Sequence, residues 1–428
     1  MTAEAVTARG GLTLIDPATI RRQRSFGVFY LVLAVIAALI LPNGIDPGAN
    51  STFTLKPAGP PGPFDLPNLV VPTQITLYAI AILCGALGAI QLFRGFGSRW
   101  AVILGIVAAA FVFGFLTWAA ADKSMSLIGV LQLTVQRATP ITFGALSGLL
   151  CERAGVVNIA IEGMLLSGAF TGAVVASVTG SNLVGLVGAG FVGLALASVL
   201  AILAIRYRVD QIIAGTVINI FAAGITSFVL TRILNDHDEL NSPERFSVVP
   251  IPVLSGIPII GPMFFNSNLL LYVILVLIGV IHYVLFYTRW GLRVRAVGEH
   301  PRAADTAGID VLRIRYVQVM LGGLVAGVGG AYFTLGSTGS FERDMTAGRG
   351  FIGLAAMIFG GYTPIGSYLA SLVFGFADAL QARLSILNIA VPSEFLLMVP
   401  YIVTIGVVAG LVGRVRIPAA DGRPYEKE

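Results

Sequence analysis

Runs of about twenty apolar residues alternate along this chain with short polar stretches, the length a helix needs to cross the hydrocarbon core of a bilayer. They fall at 26–42, 74–93, 100–120, 125–150, 156–179, 183–206, 210–233, 268–287 and 317–336, followed by a composite region over 351–388 and a last run over 394–413. The pattern predicts an all-α polytopic membrane protein with about 10–11 transmembrane segments, some of them broken or re-entrant. Two interruptions stand out. The middle of 351–388 reads FGGYTPIG (359–366), which breaks any helix, and the apolar piece before it is too short to cross. Residues 151–164, CERAGVVNIAIEGM, set Glu152, Arg153, Asn158 and Glu162 between two apolar runs. Polar groups at such depth point to a pathway, while a short turn in water accounts for Glu152 and Arg153 equally well.

Composition agrees with this reading. The chain of 428 residues has 11% charged residues, against about 25% in a soluble domain. Its net charge of +5 is therefore not a nucleic-acid signal, and appears instead as asymmetry between loops. Arg21, Arg22 and Arg24 precede the first run and put the N-terminus in the cytoplasm. No small-x-small cleavage site follows that run, which excludes a cleaved signal peptide. The loop over 234–266 opens NDHDELNSPER, with four acids and one arginine, and falls outside. The segment 288–316 has six arginines and three carboxylates and falls inside. Arg414, Arg416 and Arg423 keep the C-terminus inside, so parity requires 351–388 to begin and end outside, as a re-entrant pair of half-helices. Residues 43–72 contain GPPGP and read as an external loop without packed structure.

Chemistry is sparse. The three lysines, Lys56, Lys123 and Lys427, follow Leu55, Asp122 and Glu426, so no Gly-Lys pair exists to build a phosphate-binding loop. The DHDE cluster at 236–239 lacks ligand spacing and reads as a solvated loop. Cys84 and Cys151 lie in or beside apolar runs as small hydrophobes. Neither a cofactor nor a metal site is expected, and an enzymatic role is disfavoured. In the arginine-rich segment, HPRAADTAG predicts a short helix with Pro301 at its first position and Gly308 just past its end. Ala303, Ala304 and Ala307 give it a smooth face. A helix of this length is unstable alone in water, so it needs a surface to dock against, and a partner's groove suits it. The flanking arginines also fit contact with anionic membrane lipids.

Four stretches together resemble the permease subunits of bacterial ABC importers of the branched-chain amino acid, ribose and nucleoside type, nearest the nucleoside or simple-sugar branch. They are CERAGVVNIAIEGMLLSGAF (151–170), RVDQIIAGTVIN (208–219), TRWGLRVRAVGEHPRAADTAGI (288–309) and TAGRGFIGLAAMIFGGYTPIG (346–366). The resemblance implies a multi-pass protein of the bacterial cell membrane that forms a pathway for nucleosides or simple sugars. Energy would come from separate ATPase subunits, with a second permease chain and an external solute-binding lipoprotein as further partners. It implies coupling to the ATPase through Gly298, Glu299, Pro301, Ala303, Ala304, Ala307 and Gly308. The pathway or its gate would involve Asn158, Glu162, Asn219, Gly348, Gly350, Gly360, Gly361, Pro364 and Gly366. The expected division is a cytoplasmic tail over 1–25, an extension with three spans over 26–124, the permease domain over 125–413 and a cytoplasmic tail over 414–428. An ion-coupled secondary transporter is the alternative. It would favour paired acidic residues inside spans, and Glu162 and Asp378 both lie near span ends or breaks.

Overall fold

The computed structural model describes residues 17–55, 66–386 and 416–427, together with Met398. The run expected to cross the membrane at 394–413 lies outside the described residues, Met398 apart, as do the GPPGP stretch and residues 1–16. The chain divides into two compact units at about residue 127.

The first unit is a three-helix bundle of α1 (Pro17–Val35), α2 (Thr73–Phe93) and α3 (Trp100–Ala119). Tyr30, Leu33, Ile80, Cys84 and Val107 form its core. Three strands, β1 (Asn50–Thr54), β2 (Leu69–Pro72) and β3 (Ser124–Ser126), make a small sheet in the order β2-β1-β3. Asn50 pairs with Pro72 in the antiparallel ladder, and Thr52 with Ser124 in the parallel one. The expectation of an unpacked loop over 43–72 is thereby corrected. Phe53 is fully buried, and the Ser51 hydroxyl donates to the Thr117 carbonyl at 2.7 Å.

The second unit begins with α4 (Leu127–Glu152), α5 (Ile161–Thr179), α6 (Asn182–Ala201) and α7 (Gln211–Arg232). An irregular segment follows, with the short α8 (Ile260–Phe264) and a two-residue pairing of β4 (Val249–Pro250) with β5 (Asn266–Ser267). Then come α9 (Leu269–Tyr287), α10 (Arg289–Glu299), α11 (Pro301–Thr306), α12 (Val311–Phe333), α13 (Arg349–Phe359) and α14 (Pro364–Ile386). Nine helices among the described residues are long and apolar enough to cross a membrane. The protein is an all-α polytopic membrane protein. At 26 residues, about 39 Å, α4 is also long enough to span but more polar than the nine.

Helix α12 packs against α5 and α6 with backbones almost touching. A Cβ placed on Gly330 would lie 2.0 Å from the Leu165 carbonyl oxygen, so only glycine permits the approach. Small residues serve this purpose in lipid, where apolar side chains gain nothing by leaving one apolar medium for another.

Successive helices run up and down, so the second unit has two ends. One gathers 180–181, 234–268 and 336–345; the other gathers 153–160, 207–210, 288–310, 360–363 and 416–427. The break expected at 359–366 is present between α13 and α14. Its second limb is not a half-helix, however, because α14 is a full-length apolar helix of 23 residues. The chain dips where α13 begins. Gly350 packs beside Gly144 of α4, eight residues or about 12 Å before that helix ends.

Candidate functional site

The helix break at 153–160 is tied on both sides. Asn219 on α7 accepts a hydrogen bond from the Gly163 amide at 2.7 Å and donates to the Ile159 carbonyl at 2.9 Å. Gln211, in the first turn of α7, accepts from the Val157 amide at 2.7 Å. Both side chains occupy backbone groups that no helix satisfies, which is how irregular backbone survives in a membrane protein. Asn158 is fully buried. Its amide nitrogen faces the sulfurs of Cys151 at 3.5 Å and Met164 at 3.8 Å. The structure therefore puts it in packed interior.

Glu162, in the first turn of α5, holds the dipping loop. One carboxylate oxygen accepts from the Thr346 hydroxyl at 2.6 Å and the Gly348 amide at 2.8 Å; the other accepts from the Gly350 amide at 2.6 Å. Charge-assisted bonds of this kind are short and strong. A Cβ on Gly350 would meet the Glu162 backbone at 2.7 Å, so the glycine is what allows the clasp. The structure thus brings together Glu162, Gly348 and Gly350, which come from widely separated motifs.

Above this clasp lies a cavity of about 990 Å³, lined among others by Gln132, Gln136, Arg137, Tyr332, Phe333 and Arg349. That volume suits a small solute. Asp378 on α14 pairs with Arg349 at 2.9 Å and Arg137 at 3.7 Å, so the wall's central charges are compensated. The Arg349 guanidinium also lies 5.8 Å above the Phe333 ring. The sequence reading missed Gln132, Gln136 and Arg137. Their signal was available, since positions 132 and 136 share one helix face within an apolar run.

The Gly360–Gly366 turn is not part of this cavity. It lies at the opposite end, where Arg153 donates to the Tyr362 carbonyl through Nε at 3.0 Å and through Nη2. Gly361 and Tyr362 both have left-handed backbone, with φ of +65° and +56°. The Thr363 hydroxyl donates to the Gly360 carbonyl at 2.8 Å, and Pro364 opens α14. Burial, and secondarily the nearby Arg295, push the Arg153 guanidinium below its ordinary range.

Beside this turn, α10 ends at Gly298 and Glu299, and α11 starts with Pro301 at its first position. Gly308 follows α11 with φ of +80°. The expected smooth alanine face is divided: Ala304 points into the protein's own core, whereas Ala303 and Ala307 are exposed. Among the described residues, no three His, Cys, Asp or Glu side chains converge to hold a metal ion.

Membrane-length apolar helices, a polar cavity at one end of the second unit and a short exposed helix at the other are the parts a membrane permease needs. The chain belongs to the family of the branched-chain amino acid transport system permease component, which matches residues 129–408. It is 38% identical to the guanosine ABC transporter permease protein NupQ of Bacillus subtilis, over 71% of this chain and 99% of that one. It is 39% identical to the nucleoside ABC transporter permease protein NupC of Lactococcus lactis, again over 71% and 99%. A putative glucose ABC transporter permease of Haloferax volcanii is 33% identical over 70% and 98%. No solved structure matches the chain. Residues before 129 lie outside the family match.

Proposed function

We propose that this permease subunit of an ABC importer moves nucleosides or simple sugars through the second unit, with energy from separate ATPase subunits. The observation that carries the reading is the opposition of two features in one unit. A solute-sized cavity lies at one end, and α11, exposed through Ala303 and Ala307, lies at the other. The helix breaks at 153–160 and 360–363 lie at the α11 end. An external binding protein would deliver solute at the cavity end, and a second permease chain would complete the path. The arginine-rich end of the second unit would face the cytoplasm, and both chain termini would lie on that side of the membrane, following the positive-inside rule. The aromatic pair Tyr332 and Phe333 beside Gln132 and Gln136 suits a solute with a flat ring and hydrogen-bonding edges. Relatives named for guanosine and for nucleosides support the same substrate class. An ion-coupled mechanism finds less support, because Asp378 is committed to two arginines and Glu162 to two backbone amides and a hydroxyl.

The test is uptake of labelled guanosine and glucose into proteoliposomes containing this chain, its ATPase subunits and its binding protein. Uptake should require ATP on the arginine-rich side and persist when an uncoupler collapses ion gradients. Uptake that survives ATP removal but stops with the uncoupler would mean secondary transport.

A further inference from the structure

The segment 416–427 is held against the second unit by more contacts than a free tail would make. The Ala420 amide donates to the Gly298 carbonyl at 2.9 Å, and the Ala419 amide donates to Glu299 Oε2 at 3.3 Å. Arg315, which is 2% exposed, donates through Nη1 to the Arg423 carbonyl at 2.9 Å. Tyr425 is buried in the cluster that also contains Val294, Val297, Ala304 and Val311. Glu426 pairs with Arg208, and Lys427 lies 3.7 Å from Asp305 of α11. The segment therefore grips the last turn of α10, the buried side of α11 and the start of α12.

At its centre the Asp421 carboxyl meets that of Glu152 in the turn that ends α4. We propose that 416–427 is a strap that positions α11 for force transmission, latched by the Glu152–Asp421 carboxyl pair. The role of α11 rests on the proposed function; the strap and its latch do not.

Two carboxylates cannot share a buried site when both are charged, so the latch needs a proton. Burial, and then the Asp421 charge, hold Glu152 well above its ordinary range. Burial raises Asp421 to about 6, against the lowering effects of its Glu152 and Gly422 hydrogen bonds and of Arg315. The other groups facing the pair are Tyr362 from the α13–α14 turn and the buried Cys151 thiol next to Glu152. Above about pH 6 the docked Asp421 is charged, while Glu152, held well above its ordinary range, keeps its proton to higher pH than a released carboxyl would. Docking takes up that proton, so its equilibrium falls as pH rises, by at most about tenfold per pH unit.

Hydrogen exchange of the full chain in lipid nanodiscs tests this without any ATPase. Protection of the peptide containing Ala420, corrected for intrinsic exchange, should fall from pH 6.5 to 7.5, by at most about tenfold. In Glu152→Gln, which keeps a neutral donor, protection should not change over that interval. PH-independent protection in the native chain, or the same fall in Glu152→Gln, overturns the latch. Deleting 417–428 should speed exchange across 299–308 by about tenfold or more, the scale of losing one or two buried hydrogen bonds. Unchanged exchange there means the strap does not position α11. Because these readouts need no ATPase or solute, they can fail while ATP-driven uptake stands, and the reverse.

Discussion

The two ends of the second unit use polar residues in opposite ways. At the cavity end, Gln132, Gln136 and Arg137 turn toward open space, and Arg137 is 41% exposed even with Asp378 beside it. At the other end, Arg153, Arg315 and Glu152 are withdrawn from water and spent on neighbouring groups: backbone carbonyls for the arginines, a partner carboxyl for Glu152. Polar groups facing space can exchange water for solute. Polar groups locked on backbone hold a shape, because breaking them leaves a buried donor unpaired. In the proposed function this difference separates recognition from mechanical transmission, with the Glu162 clasp between the two.

The largest effect should come from cutting that clasp. Glu162→Ala leaves two amides and a hydroxyl unpaired, and should destabilise the protein by on the order of 3 kcal/mol and abolish uptake. Thermal unfolding and transport of the purified variant measure both, with Glu162→Gln, which keeps an acceptor, falling between. A wild-type melting temperature in Glu162→Ala would mean that the clasp is incidental.

Asp378→Asn sharpens the cavity side. Losing the counter-charge of Arg349 and Arg137 should raise the KM for solute on the order of tenfold, the scale of one partly buried ion pair, with little change in melting temperature. Unaltered KM would remove this wall from solute recognition. The smallest effect belongs to the opposite end. Gly361 has φ of +65° with open space around its Cα, so Gly361→Ala should cost about 1 kcal/mol of stability and leave KM untouched. A raised KM in that variant would place the turn on the solute path.

Much of this was legible along the chain because its causes are local. Membrane-length apolar runs announce helices, Pro301 and Gly308 bracket α11, and FGGYTPIG announces its own break. The strands escaped because their pairings join distant segments: Asn50 meets Pro72 and Thr52 meets Ser124. The inward side of α11 was unreadable because six residues give less than two turns, too few for periodicity to separate Ala304 from Ala303 and Ala307. The candidate site was legible in part. Glu162, Gly348 and Gly350 were singled out from separate motifs, but nothing local says that one carboxylate joins them. Gln211 and Asn219 satisfy backbone at a break 50 to 60 residues away, a relation that only the fold creates. The strap was missed for the same reason, since a charged C-terminal stretch reads as solvated unless its partners are known.

In the proposed function ATPase subunits engage the end carrying α11 while solute enters at the other. A photo-crosslinking residue at Ala303, exposed on α11, and another at Val248, which borders the cavity, test it in the reconstituted transporter. A covalent adduct between the ATPase subunit and the Ala303 variant is expected, and none from Val248. An ATPase adduct from Val248 with none from Ala303 would contradict it.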